Sequence, residues 1–235
     1  MSLIKDIRFF ESDVPNTDGN PIPHYIGKIY RYDQIDCLDV IQRLLFLLRH
    51  KGFGFDGFDH LYLNFTPCLS HNQIADAQRH NIREFSWYHY VDIGCDSLLF
   101  NTMTLSEKTA FILGAAKQAV LLKAPEEQKQ LFLDSFNKVT ELGEKLLLSY
   151  KMKENSDFTA EILFRINNEL DFMPAVIVKA ADGSIKAEQN MRAYGRDEFI
   201  SQFGTLTLGK SYFKITPRKN WHAEFYGLKP IKIEW

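Results

Sequence analysis

The spacing of apolar residues along the chain predicts three main helices. Over residues 38–50 apolar side chains recur every three or four positions and form a wide apolar face, and Gly52 ends this helix. The same period returns after Thr104, which has the capping-box spacing to Glu107 and therefore opens a second helix. A third helix is expected to begin at Pro125, because proline is favoured in the first helical turn.

Alternation of apolar and polar residues predicts strands in the rest of the chain. The clearest cover residues 59–66 and 85–93, and another covers residues 25–32. Near the C-terminus alternation dominates, and the pair Asp182 and Gly183 is typical of a hairpin turn. The strands expected there cover residues 146–153, 158–166, 175–179, 184–187, 205–208, 212–216 and 229–234.

This order of elements predicts an α+β fold with mixed or antiparallel sheets, about three main helices and a β meander in the C-terminal part. A short helix capped by Asp197 and ending at Phe203 is expected within that part. The 235 residues are enough for one large core. We therefore expect a single α+β unit. The change from helical spacing to alternation near residue 145 could mark a boundary within it. The unit would then consist of two packed lobes, a helix-rich lobe over residues 1–144 and a β-rich lobe over residues 145–235.

A polar tract separates the two clearest strands. It covers residues 67–84, and a connection of about 18 residues is long beside the usual four to six, so it either folds locally or serves a function. Its side chains are unusually rich in hydrogen-bonding and charged groups. They include Cys68, His71, Asn72, Gln73, Asp76, Gln78, Arg79, His80, Asn81 and Arg83.

Composition and charge narrow the classes of function. The net charge of −2 disfavours a dedicated nucleic-acid binder, which normally carries a marked basic excess. Three cysteines without a CxxC pair suit a reducing compartment. The N-terminus has no charged leader followed by an apolar stretch, and no apolar segment is long enough to span a bilayer. We therefore expect a cytoplasmic protein with no membrane partner.

No familiar catalytic or metal-binding motif is found in the chain. G-x-S-x-G is absent, and a reactive Cys68 beside His71 is disfavoured because catalytic pairs usually come from distant segments. The seven histidines lack the spacing that places two imidazoles on one helix face. His60 and His89 lie in strands that can pair, and His71 and His80 lie in the tract between those strands, so a three-histidine metal site is conceivable. Histidines that only form hydrogen bonds are more common than such a site. We predict no catalytic residue, no metal and no cofactor.

One C-terminal segment mixes basic and aromatic residues. It covers residues 210–222 and includes Lys210, Tyr212, Lys214 and Trp221. Proteins that bind single-stranded nucleic acids interleave rings and cations in this way, and an edge strand protected by lysines has the same pattern. The near-neutral charge of the chain favours the edge strand.

Three strings of residues resemble bacterial immunity proteins of polymorphic or contact-dependent toxin systems. They are Asp59-His60-Leu61-Tyr62-Leu63-Asn64-Phe65-Thr66, Tyr90-Val91-Asp92-Ile93-Gly94 and Phe100-Asn101, and the resemblance covers residues 58–122. It implies a cytosolic inhibitor that binds a cognate toxin domain and performs no chemistry. It assigns a function to no individual residue.

We therefore predict a non-enzymatic interaction protein. Polar side chains of the tract would form the rim of a binding surface, and the aromatic residues that follow would be its anchors. Alternation along the strand puts Trp87 and His89 on the face opposite Tyr88 and Tyr90. The predicted binding residues are His71, Asp76, Arg79, His80, Arg83, Trp87, Tyr88 and Tyr90.

The alternative is an enzyme of an unfamiliar family, a hydrolase that acts on a small ligand between the two lobes. Such an enzyme needs a concave site where polar groups converge and titratable groups have perturbed pKa values. The histidines at positions 60, 71 and 89 are the side chains that it would have to bring together.

Overall fold

The structure is a computed structural model that describes residues 1–15, 22–33, 37–77 and 87–235. The chain divides into two compact units, Met1–Glu141 and Leu142–Trp235. Both units combine helices with sheets, and the sheets are mixed or antiparallel. The predicted α+β class is therefore confirmed.

A five-stranded mixed sheet is the centre of the N-terminal unit. The strand order is β3-β2-β5-β7-β6; the three central strands are parallel, and the edge strands β3 and β6 run antiparallel to their neighbours. Strands β1 and β4 form a separate antiparallel pair. The elements of the unit are β1 (Ser2–Leu3), β2 (Asp6–Glu11), β3 (His24–Tyr25), α1 (Leu38–His50), β4 (Gly54–Phe55), β5 (His60–Thr66), β6 (Ile74–Asp76), β7 (Tyr88–Gly94), α2 (Ser97–Thr102), α3 (Leu105–Lys123) and α4 (Glu126–Leu142).

The two faces of this sheet have different roles. Parallel strands require a crossover connection, and α1 lies in the connection between β2 and β5. One face carries fully buried side chains such as Phe9, Leu63 and Phe65, and α1 and α3 contact the strands that bear them. The opposite face carries the polar and aromatic side chains of the site described below.

The helices begin and end where local signals place them. Helix α1 covers Leu38–His50, as predicted. The capping box is formed, because the Thr104 hydroxyl accepts from the Glu107 amide and the Glu107 carboxylate accepts from the Thr104 amide. These hydrogen bonds hold the pKa of Glu107 below its usual value. The helix predicted at Pro125 begins at the next residue.

The predicted strand over residues 25–32 is wrong beyond Tyr25, and Glu11 explains why. Its buried carboxylate accepts hydrogen bonds at 2.8–3.1 Å from the amides of four consecutive residues, so these amides are not available to a neighbouring strand. Gly27 supplies the positive φ, +138°, with which the chain turns around the carboxylate. The donors are the amides of Gly27, Lys28, Ile29 and Tyr30.

The first half of the polar tract folds locally. Strand β6 lies within it and pairs antiparallel with β7. Just before β6, the Asn72 amide donates to the carbonyl of Gly94, and the Gly94 amide donates to the carbonyl of Gln73. The tract therefore turns back on the strand that follows it. Residues 78–86, which complete the connection, lie outside the described residues.

The C-terminal unit contains the predicted β meander. Strands β8 to β11 form a four-stranded antiparallel sheet of order β11-β10-β9-β8, and a three-stranded antiparallel sheet of order β12-β13-β14 follows. The hairpin turn forms at Asp182 and Gly183, where φ of Gly183 is +84°. The elements are β8 (Leu148–Glu154), β9 (Phe158–Ile166), β10 (Phe172–Ala180), β11 (Ile185–Asn190), α5 (Arg196–Gln202), β12 (Thr205–Leu208), β13 (Tyr212–Thr216), α6 (Trp221–Phe225) and β14 (Ile231–Glu234).

Phenylalanine rings form the core of this unit. Phe164 stacks on Phe172 with ring centroids 5.7 Å apart, and Phe199 of α5 lies 4.9 Å from each of them. Two predictions about the surrounding elements are wrong. Gly195 is the N-cap of α5 and Asp197 lies in its first turn. Strand β13 is the central strand of its sheet, so its lysines do not protect an edge.

Candidate functional site

The register of the three parallel strands builds the candidate site. Arg8 of β2 lies opposite Tyr62 of β5, and Tyr62 lies opposite Tyr90 of β7. Because every second side chain of a strand points to the same face, the rows before and after this one share that face. The row before it consists of Asp6, His60 and Tyr88, and the row after it of Phe10, Asn64 and Asp92.

Tyr62 is the ring to which the others pack. Its centroid lies 4.8 Å from that of Phe10, 5.0 Å from that of Tyr88 and 5.2 Å from that of Tyr90. Aromatic pairs at such distances contribute about 0.5–1.5 kcal/mol each beyond the area they bury. Burial raises the pKa of Tyr62 and of Tyr88, so both phenols are neutral at physiological pH.

Two rings at the margin of this cluster are exposed. Tyr25 of β3 is 52% exposed and stacks on Phe10 at 4.8 Å. Trp87, immediately before β7, is 39% exposed, and its ring lies 4.6 Å from that of His60 and 6.4 Å from that of Tyr62. We call the whole set the aromatic site. It consists of Arg8, Phe10, Tyr25, His60, Tyr62, Trp87, Tyr88 and Tyr90.

Arg8 connects the buried and exposed parts of the aromatic site. Its guanidinium carbon lies 5.7 Å from the ring centroid of Tyr62, and its Nη1 donates to the Tyr25 hydroxyl at 3.3 Å. Its Nε donates to the carboxylate of Asp6 at 2.7 Å. Burial lowers the pKa of Arg8, but the hydrogen bond and charge of Asp6 outweigh burial and raise it. Arg8 is therefore a fixed, partly exposed cation beside two rings.

Charged groups surround the N-terminal ends of β5 and β7. The carboxylate of Asp59 lies 2.6 Å from Lys5 Nζ and 2.5 Å from His60 Nδ1. Burial raises the pKa of Asp59, but the hydrogen bonds from Lys5 and His60 outweigh it and hold the pKa below its usual value. The backbone supports this arrangement, since the amides of Asp59 and His60 both donate to the carbonyl of Trp87.

A buried polar pair lies beside the rings in the third row. Asn64 is completely buried, and its Nδ2 donates to the carboxylate of Asp92 at 2.8 Å. The Asn64 Oδ1 accepts no hydrogen bond from any residue that the structure describes. A buried acceptor without a partner is costly, so this atom lowers the stability of the sheet.

The predicted aromatic anchors all belong to the aromatic site. Tyr88 and Tyr90 are buried, at 8% and 5% exposure, while Trp87 is the exposed member. Trp87 was expected to lie on the same face as His89, and this is wrong. It precedes β7 in a turn, where alternation does not apply, and its ring contacts His60, Tyr62 and Tyr88. His89 lies on the opposite face, as alternation predicts.

Asp76 lies on the opposite face of the sheet from the aromatic site. It is paired in register with Val91 of the core face, and its carboxylate contacts His89 Nε2 at 2.5 Å and Lys123 Nζ at 2.9 Å. Burial raises the pKa of Asp76, but hydrogen bonds from His89 and Lys123 outweigh it and lower the pKa. These contacts attach β6 to the C-terminal end of α3.

His71 lies near the other end of β7. Its Nδ1 accepts from the amide of Asp96 at 3.2 Å, and its ring stacks on Phe111 at 5.1 Å. The seven-residue strand β7, about 20 Å long at its usual rise, separates this end from Trp87. Three further predicted binding residues, Arg79, His80 and Arg83, lie outside the described residues.

The structure does not bring the candidate catalytic side chains together. His60 and His89 lie on opposite faces of the sheet, and His71 lies at its far end. The Cys68 thiol donates to the carbonyl of Asp13, and the structure shows no hydrogen bond between Cys68 and His71. Within residues 1–15, 22–33, 37–77 and 87–235, no three histidine, cysteine or acidic side chains are placed to hold a metal ion.

Five of the eight residues of the aromatic site are not among the predicted binding residues: Arg8, Phe10, Tyr25, His60 and Tyr62. The first three come from β2 and β3, and residues 6–11 were not predicted as a strand. The signal was present but weak. Ile7, Phe9 and Glu11 are buried and alternate with Arg8, but Phe10 breaks the alternation of apolar and polar residues.

The fold and the site together define an α+β protein with a partly exposed aromatic site on one face of a mixed sheet. No family model matches the chain, and no curated protein or solved structure matches it. No helix in the described part of the chain is both long and apolar enough to cross a membrane.

Proposed function

We propose that this is a non-enzymatic interaction protein, and that it binds and neutralises a cognate bacterial toxin domain. The observation that carries the proposal is the aromatic site, where exposed Trp87 and Tyr25 and partly exposed Arg8 surround a packed group of rings. The choice of a toxin as the partner is supported by the resemblance of residues 58–122 to immunity proteins.

The composition of the aromatic site favours a protein as the partner. Trp, Tyr and Arg are the residues most enriched among those that dominate the binding energy of protein interfaces. Such residues work best when they are held in place, because less conformational entropy is then lost on binding. Trp87 packs against His60, and Tyr25 is fixed between Phe10 and Arg8.

The surroundings of the site are those of an interface rim. Lys5, Asp6 and Asp59 provide charges of both signs at its margin, and these are paired within the protein. Charged groups at a rim direct association and orientation more than they add affinity. A toxin surface with an apolar centre would fit the exposed rings of Trp87 and Tyr25.

The proposal is tested first by complex formation. Tagged protein is co-expressed with a toxin-like domain encoded immediately beside it, and the two are purified together. We expect a stable stoichiometric complex and restored growth of cells that produce the toxin domain. A well-folded protein that forms no complex, or a purified protein with robust catalytic turnover, would contradict the proposal.

A variant series then tests the aromatic site itself. Trp87→Ala and Arg8→Ala should each weaken the complex by about 10- to 100-fold, the loss expected for a residue that dominates an interface. Leu98→Ala is the apolar control, since Leu98 is 81% exposed on α2, and Arg31→Ala is the exposed cationic control. Titration calorimetry measures the affinity, and circular dichroism verifies the fold. Equal affinities for all four variants would show that the toxin binds elsewhere.

A further inference from the structure

Helix α6 of the C-terminal unit exposes three aromatic side chains. Trp221 is 65% exposed, Phe225 is 66% exposed and Tyr226, the residue after the helix, is 43% exposed. The rings of Trp221 and Phe225, one helical turn apart, stack with centroids 4.9 Å apart, and the Tyr226 ring packs edge-on to Phe225 at 5.1 Å. We call these three residues the α6 patch.

The α6 patch is large enough to suggest a function. Since an aromatic side chain has about 150–250 Å² of surface, the three rings together expose about 350 Å², within the range of functional patches on monomeric proteins. Scattered single apolar residues on a surface need no explanation, but a stacked group does. The rings are not needed for the core, because Ala223 is the residue of α6 that is buried.

The helix that carries the patch is joined to α5 by hydrogen bonds. Asn220 caps it by accepting from the Ala223 amide at 2.9 Å, and the Asn220 Nδ2 donates to Ser201 Oγ of α5 at 3.3 Å. The Arg218 amide donates to the carbonyl of Ser201 at 2.8 Å. The patch therefore has one defined orientation on α5, which lowers the entropy lost when a partner binds.

The segment around the patch is strongly basic. Arg218 and Lys219 precede the helix and Lys229 follows it, and all three are exposed, whereas Glu224 is the one acidic residue of the helix. Residues 210–235 contain six lysines and arginines and two glutamates in a chain whose net charge is −2. The six basic residues are Lys210, Lys214, Arg218, Lys219, Lys229 and Lys232.

Two of these six basic residues belong to the C-terminal three-stranded sheet. Lys214 of β13 lies directly opposite Lys232 of β14, and like charges in that position weaken strand pairing. Lys232 is compensated by Glu234, whereas the structure shows no acidic partner for Lys214 among the described residues. A positive surface that is unfavourable within the protein is favourable towards a negative partner.

We propose that the α6 patch binds an acidic segment of a protein partner. Trp221 and Phe225 would contact a large apolar side chain of that segment, and Arg218, Lys219 and Lys229 would pair with carboxylates beside it. A nucleic acid is the less suitable partner, because phosphate binding normally goes with a marked basic excess and the whole chain is slightly acidic. The inference concerns the C-terminal unit and does not rest on the function proposed for the aromatic site.

Peptide selection tests the specificity of the patch. A displayed library of random 12-residue peptides is selected on the immobilised full-length protein, and in parallel on the Trp221→Ala/Phe225→Ala variant. We expect the wild-type protein to enrich peptides with two or more carboxylates beside a large apolar residue, and the variant to lose that enrichment. Enrichment without acidic bias, equal enrichment on the variant, or no enrichment would overturn the proposal.

Fluorescence anisotropy of the most enriched peptide tests the charges. Lys219→Glu/Lys229→Glu should weaken binding at least tenfold, and binding should fall as salt rises. Lys153→Glu/Lys186→Glu, at exposed positions of β8 and β11, should change it less than twofold. Equal effects of the two charge reversals would contradict the proposal. If a single-stranded oligothymidine bound more tightly than the peptide, the proposal of a protein partner would be overturned, and a nucleic acid would be the better candidate.

Discussion

Tyr62 is the central ring of the aromatic site. It is 5% exposed and contacts the rings of Phe10, Tyr88 and Tyr90 as well as the Arg8 guanidinium. Three elements of the sheet therefore depend on one side chain. Its surroundings are mainly aromatic, so the ring should matter more than the hydroxyl.

We therefore expect Tyr62→Ala to destabilise the protein by about 3–4 kcal/mol, because it leaves a cavity among packed rings. Tyr62→Phe keeps the ring and should cost at most about 1 kcal/mol. Urea denaturation followed by circular dichroism measures both free energies of unfolding. Similar losses for the two variants would mean that the hydroxyl, and not ring packing, is the source of stability.

Asp59 gives the aromatic site a pH dependence whose sign follows from its pKa. Its pKa is lower in the folded protein than in the unfolded chain, so its carboxylate stabilises the fold at pH values above the unfolded pKa of about 3.9. This stabilisation is lost as the pH falls through the folded pKa. Above about pH 5 it is present in full.

The free energy of unfolding of wild type and Asp59→Asn should therefore differ most at pH 5–7 and converge as the pH falls below about 4. Equilibrium denaturation at several pH values measures the difference. Asp56→Asn, at an exposed position of the same unit, is the control and should give a smaller difference. A difference that grows towards low pH would contradict the assigned partners of Asp59.

At the scale of elements, Glu11 decides the conformation of the segment after β3. Its carboxylate oxygens accept hydrogen bonds from the amides of residues 27–30, and hydrogen bonds to a charged acceptor are stronger than those between neutral groups. The segment is thus ordered without belonging to the sheet. Tyr30, at its end, donates through its hydroxyl to the carbonyl of Cys95 and fixes the segment to the end of β7.

Glu11→Gln should disrupt this segment, because the amide group of glutamine would place its own N–H donors against backbone N–H donors. We expect a loss of at least about 3 kcal/mol, given about 1.5–3 kcal/mol for each hydrogen bond to a charged group. Hydrogen exchange of the amides of residues 27–30 should become much faster, with the amides of α3 as the internal reference. Unchanged protection of these four amides would refute the role assigned to Glu11.

At the scale of the whole molecule, the division at Glu141 and Leu142 separates two cores. The C-terminal unit has its own group of phenylalanines, in which Phe164, Phe172 and Phe199 pack on one another. A domain with its own core can in principle fold alone. The sequence-based expectation of lobes at residues 1–144 and 145–235 stays a prediction until the parts are studied separately.

We expect the fragment 142–235 to fold by itself. Circular dichroism should show β structure that is lost in one cooperative thermal transition, and its amide resonances should be well dispersed. A fragment with Phe164→Ala should lose this transition, because the substitution opens the aromatic core. A wild-type fragment that is unfolded would show that the two units do not fold independently.

The sequence by itself determined the elements that depend on neighbouring residues. The period of α1, the capping box of α3 and the alternation in β9 all gave bounds that agree with the structure to within a residue or two. Each signal lies within a few positions, because helix turns, caps and pleats repeat over that distance. The α+β class followed from their order.

The residues of the aromatic site are brought together only in the tertiary structure. Arg8, Tyr62 and Tyr90 are more than 25 positions apart in sequence, and the register of three parallel strands puts them in one row. Strands become neighbours when their pairing buries apolar side chains from distant parts of the unit. The local spacing of residues does not specify that pairing. The same reason explains Glu11, whose buried carboxylate overrides the alternation of residues 25–32 because its partners lie 16 to 19 positions away.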